Sequence, residues 1–407
     1  MQSKPKNRIV VLAFQLCVIA DSVFGSDAAL YRVSKMVMLL FFVVMAFLVL
    51  LRNFKLRVGR QICLPVAFAL YMLTSVLWSY NRTVATYQLI TELQLMLLLL
   101  FVYLVMLNGA EVKDYLDALY VAGWGMAIFA LVRYGGLTNY LEVMGDGDRM
   151  GGEIANENSF GLVFSNAALA AAYYLVIRKR KIDIFSIAVF AFFALSSGSK
   201  KAALLIVVGI FAIALVHYGF KQLYKTILAG AVVLVFAWYV LQLPLFETVY
   251  MRLESFLSGE LDKSDAGRMY MISLGLEMFW DRPILGYGLN NYRLFNPWGL
   301  YSHNNFVELL FSGGLVGFVL YYLMYLSPLC VIFLRKPKKE KLPEQYLMLL
   351  VWIVIDLVFG YGMVQIYEKT SFILLGVALG TTDKNNMQMS VKQNTTLEQL
   401  AQRGIRE

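Results

Sequence analysis

The sequence predicts an all-α membrane protein, a polytopic bundle of about twelve transmembrane helices with one long polar loop. Of its 407 residues, 59% are hydrophobic and only 15% are charged, whereas soluble domains carry roughly 25% charged residues. Apolar runs recur along the chain at about 17 residues or more, the length that crosses roughly 30 Å of hydrocarbon. One long polar interruption, at about 244–303, divides them.

Charged or glycine-rich links mark the boundaries of the predicted spans. The spans are 9–25, 33–51, 62–79, 86–107, 117–135, 158–177, 182–197, 202–218, 225–243, 304–334, 344–363 and 367–380. They form a single multi-span domain over 1–380, and a polar tail over 381–407 is predicted to be disordered at its end. The first run resembles a signal peptide, but Asp21 interrupts it and no small-residue cleavage site follows, so we interpret it as a span.

Basic residues in the links predict the orientation of the spans. Four links rich in lysine and arginine, at 52–60, 178–181, 221–225 and 335–341, fall on the side of the basic N-terminus if twelve spans alternate. The positive-inside rule places this side in the cytoplasm. We therefore predict cytoplasmic N- and C-termini and an extracytoplasmic loop. The net charge of +9 then reflects topology rather than nucleic-acid binding.

The long loop is predicted to contain two amphipathic helices. Apolar residues recur at helical spacing over 246–257, and a second helix is predicted to begin near Asp265 and to end before Pro283. Such helices lie along a membrane surface or on the tops of spans. Arg268 would fall in the first turn of the second helix, where an anion would meet a guanidinium and free backbone N–H groups.

Only one of the two histidines lies in a setting that suggests chemistry. His217 ends a span on the cytoplasmic side, a position typical of an interfacial residue. His303 begins a span on the outer side, among Ser302, Asn304 and Asn305. A histidine there is either a general base or an interfacial cap on the start of a helix. Spacing alone leaves both interpretations open.

Cations on the outer side are the second group of candidates, because they run against the positive-inside bias. Arg149 lies in a glycine-rich loop. Lys200 and Lys201 lie in a turn too short to leave the membrane surface, where paired lysines are costly unless they meet an anion or water. For Arg282 and Arg293, a solvated or snorkelling charge is the favoured interpretation.

Other function classes find little support. Cys17, Cys63 and Cys330 form neither a disulfide framework nor metal-ligand spacing, so we expect no metal and no cofactor. The stretch 286–288 lacks the third glycine and the preceding strand of a dinucleotide fingerprint. Asp356 is the carboxylate deepest in an apolar run, and such carboxylates serve ion coupling. An ion-coupled transporter therefore stays open as an alternative.

An ordered set of short motifs resembles the O-antigen ligase and polymerase superfamily. The motifs are Asn156-Glu157-Asn158, Ser197-Gly198-Ser199-Lys200, Gly267-Arg268, Trp280-Asp281-Arg282-Pro283-Ile284-Leu285-Gly286-Tyr287-Gly288, Ser302-His303-Asn304-Asn305 and Gly313-Gly314-Leu315-Val316-Gly317. The sequence departs from the family pattern at three positions: Lys200 replaces an arginine, Glu157 a proline and Arg282 an asparagine. A lysine binds phosphate as a point charge, without the bidentate fork of arginine.

The resemblance implies a GT-C-like, multi-span glycosyltransferase of the bacterial cytoplasmic (inner) membrane, working on its outer face without metal or nucleotide. Its donor would be an oligosaccharide on undecaprenyl pyrophosphate, and its acceptor a glycan. Membrane lipid, a flippase and a chain-length regulator would be its other partners, and no nucleic acid is expected. The resemblance makes His303 the catalytic base. The implied pyrophosphate ligands are Arg268, Lys200, Lys201 and Arg149, and the implied supporting residues are Ser302, Asn304 and Asn158.

The leading hypothesis is a polysaccharide polymerase that joins lipid-linked repeat units of O-antigen, capsule or exopolysaccharide. A ligase that transfers a lipid-linked glycan to a lipid or protein acceptor uses the same donor chemistry, and the sequence does not separate the two. A purely structural membrane protein would leave the cations on the outer side without a purpose.

Overall fold

The computed structural model describes residues 8–51, 58–219, 263–334 and 343–384, with scattered positions between 222 and 254 and Asn386. These residues form helices and connecting turns without any β-strand, so the all-α class is confirmed. The helices are α1 (Arg8–Phe24), α2 (Tyr31–Leu50), α3 (Cys63–Ser75), α4 (Arg82–Leu107), α5 (Val112–Arg133), α6 (Leu137–Gly145), α7 (Glu157–Val176), α8 (Asp183–Ser196), α9 (Lys200–Tyr218), α10 (Lys263–Phe279), α11 (Asn305–Leu334), α12 (Glu344–Phe359) and α13 (369–384).

Among the described helices, six are long and apolar enough to cross a membrane: α2, α4, α5, α7, α9 and α11. The chain is therefore a membrane protein. The predicted span at 225–243, the predicted amphipathic helix at 246–257, most of the basic links and most of the tail lie outside the described residues. The count of twelve spans and the continuous long loop stay predictions.

Small residues in the middle of α7 let its neighbours approach closely. Ala167, Ala168 and Ala170 are fully buried, and α7 packs against α5, α8 and α9. A Cβ atom added at Gly123 of α5 would lie 2.3 Å from the Ala167 Cβ, and one at Gly209 of α9 would lie 2.4 Å from the Leu169 side chain. Membrane helices pack through such contacts, because lipid tails are as apolar as the side chains that they meet.

The predicted span at 304–334 is two helices rather than one. Gly314 has φ 56° and ψ −163°, a conformation that a side chain disfavours, and it breaks α11 into 305–313 and 315–334. A Cβ atom at Gly314 would lie 2.3 Å from the Ile284 carbonyl oxygen. Glycine is therefore required both by the backbone angles and by the close approach of another segment.

That segment is the loop 283–288, which pairs with the backbone freed by the break in α11. Four hydrogen bonds join the two: Tyr287 N to Phe311 O (2.8 Å), Gly288 N to Ser312 O (2.9 Å), Leu315 N to Pro283 O (2.8 Å) and Val316 N to Ile284 O (3.3 Å). Non-helical backbone at membrane depth is tolerated only where the protein satisfies it. The glycine-rich motif at 286–288 therefore has a structural role in this fold.

The two ends of the bundle carry different chemistry. At one end α7 finishes and α12 begins, and Arg178 Nη2 lies 3.3 Å from Glu344 Oε1. There Arg180 also donates two hydrogen bonds, of 2.5 and 2.7 Å, to the buried carboxylate of Asp183. The opposite end, where α1 finishes and α7 begins, carries Arg149, the turn at 196–201 and His303. It is termed the His303 end below.

Two stretches are more helical than predicted. The glycine-rich stretch at 135–157 contains α6, whose Tyr140 is buried and shares a 2.5 Å hydrogen bond with the hydroxyl of Ser196. The last helix, α13, continues to 384, four residues past the predicted last span. Asp383 holds its end in place, because its carboxylate accepts hydrogen bonds from the Tyr103 hydroxyl (2.9 Å) and the Gln61 backbone N–H (3.2 Å).

Candidate active site

His303 lies just before α11 in a backbone conformation that its neighbours hold. Its φ of 56° is uncommon for a residue other than glycine. Before it in the chain, the backbone N–H of Ser302 donates to Glu308 Oε2 (2.9 Å), and the Ser302 hydroxyl donates to the Asn304 carbonyl (2.8 Å). Because Ser302, Asn304 and Glu308 are all buried, this turn has little freedom to relax.

The role of helix cap, left open for His303 by the sequence, belongs to Asn304. Its Oδ1 accepts hydrogen bonds from the backbone N–H groups of Phe306 (2.9 Å) and Val307 (3.1 Å). Its Nδ2 donates to the carbonyl of Tyr361 (3.1 Å), which ties the start of α11 to the end of α12. The imidazole of His303 is therefore not needed to cap the helix.

The surroundings of His303 favour its neutral form. Burial, then the positive charges of Arg268 and Lys201, lower the pKa of His303 from 6.5 to about 4. Its ring packs against the Tyr301 ring, with centroids 4.4 Å apart. A neutral imidazole at physiological pH has a lone pair with which to accept a proton.

Lys201 reaches the His303 end from α9. Its Nζ donates a hydrogen bond to the carbonyl of Gly362, and a Cβ atom at Gly362 would lie 2.8 Å from Lys201 Cε. Lys200 is the first residue of α9. Consecutive helical residues project about 100° apart, so the two lysines face different directions, and Lys201 acts electrostatically on His303.

Arg149 is fixed against the turn that precedes these lysines. Its Nε donates to the Ser197 carbonyl (2.9 Å), one Nη donates to Asn158 Oδ1 (3.3 Å), and the other lies 3.7 Å from Glu157 Oε2. Gly198 has φ 60°, and a Cβ atom there would lie 3.2 Å from Arg149 Nε. The structure thus brings together Arg149 and Asn158, two of the predicted site residues.

Arg268 lies one turn deeper in its helix than predicted. α10 begins at Lys263 rather than near Asp265, so Arg268 is its sixth residue. Only the first four N–H groups of a helix are free of intrahelical bonds, so the expected position of Arg268 in the first turn, beside free N–H groups, is wrong. Arg268 is half-buried, and its charge acts on His303.

α10 is held close to His303 because it packs on the first half of α11. Tyr292, in the loop between these helices, donates its hydroxyl to the Met271 carbonyl (2.6 Å). A Cβ atom at Gly275 would lie 2.3 Å from the Val307 side chain. Close contact at Gly275 therefore sets how near the cation of α10 comes to the histidine that precedes α11.

The two arginines interpreted as solvated or snorkelling charges have aromatic partners. The Arg282 guanidinium lies 4.7 Å from the centroid of the Tyr287 ring, and that of Arg293 lies 5.7 Å from the Tyr301 ring. Cations stack on aromatic rings at such distances. Through Tyr301, Arg293 belongs to the surroundings of His303.

Sequence reasoning gave no role to Glu308, Tyr367 or Gly362. The carboxylate of Glu308 is completely buried in the first turn of α11, where it accepts from Ser302 N–H and from the Tyr367 hydroxyl (3.4 Å). That hydroxyl in turn accepts from the N–H of Asn290 (3.1 Å). A glutamate in an apolar run, five residues after the histidine, was the signal available for Glu308. Nothing in the sequence marked Gly362 or Tyr367.

Asp356, the basis of the transporter alternative, ties three helices together. Its Oδ2 accepts from the Tyr325 hydroxyl of α11 (2.8 Å) and its Oδ1 from the Ser371 hydroxyl of α13 (3.2 Å). Each oxygen of this α12 carboxylate therefore has a partner.

The arrangement suits proton abstraction beside a bound anion. Arg268 and Lys201 are positioned to attract a negatively charged group, and the neutral His303 is positioned to accept a proton. Fixed cations next to a developing anion provide one of the largest contributions to catalysis. Over the described residues, histidine, cysteine and carboxylate side chains form no cluster of three or more that could hold a metal ion.

Comparison with known proteins bears on the same segment. Residues 185–322 match the model of the family described as O-Antigen ligase, and a search of curated proteins gave no match. The matched segment contains the turn at 196–201, Arg268 and His303, while Arg149 and Asn158 precede it. The chain therefore carries an O-antigen ligase domain at its centre, which supports the assignment to the O-antigen ligase and polymerase superfamily.

Proposed function

We propose that the protein is a polysaccharide polymerase that joins undecaprenyl-pyrophosphate-linked repeat units at the outer face of the bacterial cytoplasmic membrane. The observation that carries the proposal is the setting of His303, kept neutral by burial and by Arg268 and Lys201. A base that stays uncharged beside two cations fits a transfer reaction in which a hydroxyl loses a proton and a pyrophosphate leaves.

In the proposed reaction, His303 accepts the proton of an acceptor hydroxyl as its oxygen attacks the anomeric carbon of the donor sugar. The bond between that carbon and the pyrophosphate oxygen breaks, and undecaprenyl pyrophosphate leaves with the bonding electrons. The proton on His303 then passes to solvent. A positioned general base contributes roughly 10²–10⁴-fold to such a step.

The leaving pyrophosphate gains negative charge as the bond breaks, so it needs fixed positive charge. Arg268 and Lys201 would hold it next to His303, with Lys200 and Arg149 as further ligands. Asn158 orients Arg149 by a hydrogen bond, and Ser302 and Asn304 hold the histidine turn. Electrostatic stabilisation of this kind needs no metal, and no cofactor is part of the proposal.

The proposed topology has twelve spans, with cytoplasmic N- and C-termini, and places the His303 end outside the cytoplasm. The donor would arrive there through a flippase, and a chain-length regulator would limit the product. Both partners are those that the resemblance to the O-antigen ligase and polymerase superfamily implies.

The test is complementation of a polymerase-null strain matched to the source, with glycan length measured on a gel and protein level in the membrane measured for each variant. Wild type should restore long chains. His303→Ala and Arg268→Ala should give only single-repeat product at normal protein level, whereas His217→Ala, the matched control, should stay active. Activity of Asp356→Asn would argue against ion-coupled transport, because an asparagine cannot carry a proton. If His303→Ala polymerises like wild type, the proposed mechanism is wrong.

A ligase is the second candidate, and the description of the matched family, O-Antigen ligase, favours it. It would use His303 and the cations in the same way but transfer the glycan to a lipid or protein acceptor. In the same strain, a ligase would leave repeat number unchanged. In a ligase-null strain it would restore glycan attached to the acceptor.

A further inference from the structure

A cavity at the His303 end lies next to the candidate active site. Its volume is about 300 Å³, at the lower end of the range for ligand pockets, roughly 300–1,000 Å³. The end of α1, the start of α7 and the end of α12 contribute to its lining, and so do Tyr115 and Leu119 from the first half of α5, so it extends from the His303 end into the bundle. None of the residues proposed above to bind pyrophosphate belongs to its lining.

Three links in the chain join this cavity to the active site. Its lining includes Ser159, which follows the Asn158 that binds Arg149, and Met363, which follows the Gly362 that binds Lys201. It also includes Tyr367, whose hydroxyl donates to Glu308. A molecule in the cavity would therefore lie beside the groups that hold the pyrophosphate ligands and the histidine turn.

The charge of the cavity is opposite to that of the active site. Three carboxyl groups, those of Asp21, Asp356 and Glu368, and one ammonium group, that of Lys369, line it, so acidic side chains outnumber the single basic one. Lys369 Nζ lies 2.6 Å from Asp21 Oδ1. An anionic pyrophosphate is repelled from such a place, and so is any acidic sugar.

The lining of the cavity includes several hydrogen-bond acceptors. Glu368 makes no hydrogen bond or ion pair through its carboxylate with the described residues, and Asn166 uses its Nδ2 on the Leu162 carbonyl (3.1 Å), which leaves its Oδ1 as an acceptor. Carboxylates form strong, charge-assisted bonds with hydroxyl donors. Within the described residues, two more lining side chains have a buried polar atom without a partner: Gln365 Oε1, which is an acceptor, and Trp352 Nε1, which is a donor.

Aromatic rings complete the lining. Tyr115, Trp352 and Phe359 contribute to the wall, and aromatic faces attract the weakly positive edges of the groups that pack on them. The C–H face of a sugar ring is such a surface, and its hydroxyls are the donors that carboxylate and amide oxygens accept. The combination of acceptors, aromatic rings and negative charge fits a saccharide without carboxylate groups.

We infer that this cavity binds the acceptor saccharide, a hydroxyl-bearing glycan that is neutral or carries amino groups. This inference rests on the proposed function, since it gives the second substrate of that reaction a binding place. The two substrates then occupy neighbouring regions of opposite charge, the donor pyrophosphate among cations and the acceptor among carboxylates. The carboxyl groups of the cavity therefore disfavour the donor pyrophosphate there.

The experiment measures the binding of two probes to the purified full-length protein in lipid nanodiscs. One probe is the oligosaccharide released by mild acid from the lipid-linked repeat unit of the source strain, titrated by saturation-transfer NMR. The other is undecaprenyl pyrophosphate. Glu368→Gln and Asn166→Leu should each raise the Kd of the oligosaccharide about tenfold or more, the loss expected for a hydrogen bond to a charged or buried acceptor. Both should leave undecaprenyl pyrophosphate binding unchanged.

Two further variants complete the design. Arg268→Ala should weaken undecaprenyl pyrophosphate binding and leave oligosaccharide binding unchanged. Glu142→Gln is the matched control, because Glu142 is an exposed carboxylate of α6 outside the cavity, and it should change neither. The oligosaccharide oxidised at its primary hydroxyls to carboxylates should bind more weakly than its parent.

Three results would overturn the inference: no saturable oligosaccharide binding by wild type, equal Kd values for wild type and both cavity variants, or an NMR response at the cavity to Na⁺ but not to oligosaccharide. A wild type that binds the oligosaccharide through Glu368 and Asn166 but forms no glycan product would contradict the proposed function and leave the cavity assignment standing. If the protein polymerises glycan but both cavity variants bind the oligosaccharide as tightly as wild type, the cavity assignment is wrong and the proposed function stands.

Discussion

The pKa of His303 can be measured directly, because the chain contains only two histidines. Burial, Arg268 and Lys201 lower this pKa from 6.5 to about 4. At pH 5, an imidazole with a pKa of about 4 is about 91% neutral, whereas one with a pKa of 6.5 is about 3% neutral. Because the shift is downward, the neutral form persists down to about pH 4, and a base in this state works throughout the physiological range.

Arg268→Met removes one of the two charges that disfavour the imidazolium, so the pKa of His303 should rise. Burial is the largest cause of the lowered pKa and stays in place in this variant. The rise should therefore cover less than half of the interval between about 4 and 6.5. Lys201→Met should have a smaller effect in the same direction, because its contribution is the smallest of the three.

The assay is NMR of protein carrying ¹³C-labelled histidine, titrated between pH 4.5 and 8. His217→Gln leaves a single imidazole signal and so assigns it. Arg282→Met is the matched control, since that arginine stacks on Tyr287 and is absent from the groups that act on His303. A His303 signal that titrates near 6.5 in wild type, or one that does not respond to Arg268→Met, would refute the electrostatic argument.

Three further predictions follow from the geometry of the site. Gly286→Ala places a Cβ atom 2.6 Å from backbone atoms at the break in α11, at a residue with φ 70°. Thermal unfolding should show that this variant lowers the free energy of unfolding by about 3 kcal/mol or more. The matched control is Gly299→Ala, which has a similar φ of 61° and open space around the new Cβ atom, and it should lower the free energy of unfolding by about 1 kcal/mol. Glu308→Leu should lower kcat about tenfold or more and change the His303 NMR signal, while Glu308→Gln, which keeps an acceptor for the Ser302 N–H, should retain both. Arg149→Lys keeps the positive charge but cannot keep all three contacts of the guanidinium, with Ser197, Asn158 and Glu157. The KM for the lipid-linked donor should therefore rise several-fold. An unchanged KM would exclude Arg149 from the donor site.

Helix placement was predictable because hydropathy reports apolar length. The predicted spans at 158–177, 182–197 and 202–218 correspond to α7, α8 and α9 within two residues at each end. The break in α11 was not predictable in this way. The residues on both sides of Gly314 are apolar, and the groups that satisfy the freed backbone lie 24 or 32 residues away, in the loop 283–288.

The candidate site was predictable in its residue types but not in its connections. An outward histidine and cations that oppose the topological bias pointed to His303, Arg268 and Lys201. Their fixed positions depend on partners that are distant in sequence. Lys201 binds Gly362, 161 residues away, and Tyr367 binds Glu308, 59 residues away. A single sequence records the residue that needs a partner, but it does not record which of several hundred backbone carbonyls will supply it.

The break in α11 also explains how one segment can hold a base and a cation together. Arg268 lies on α10, which continues into the loop that pairs with the broken backbone, and His303 lies at the start of the first half of α11. The loop after the end of α10 is therefore joined to the end of the first half of α11 by hydrogen bonds on both sides of Gly314, and Arg268 and His303 lie towards the other ends of these two segments. An unbroken span would leave those backbone groups paired within the helix and give the loop nothing to bind. A Cβ atom at Gly286 or Gly314 acts on this joint, so either substitution should reduce catalysis more than it reduces the amount of folded protein.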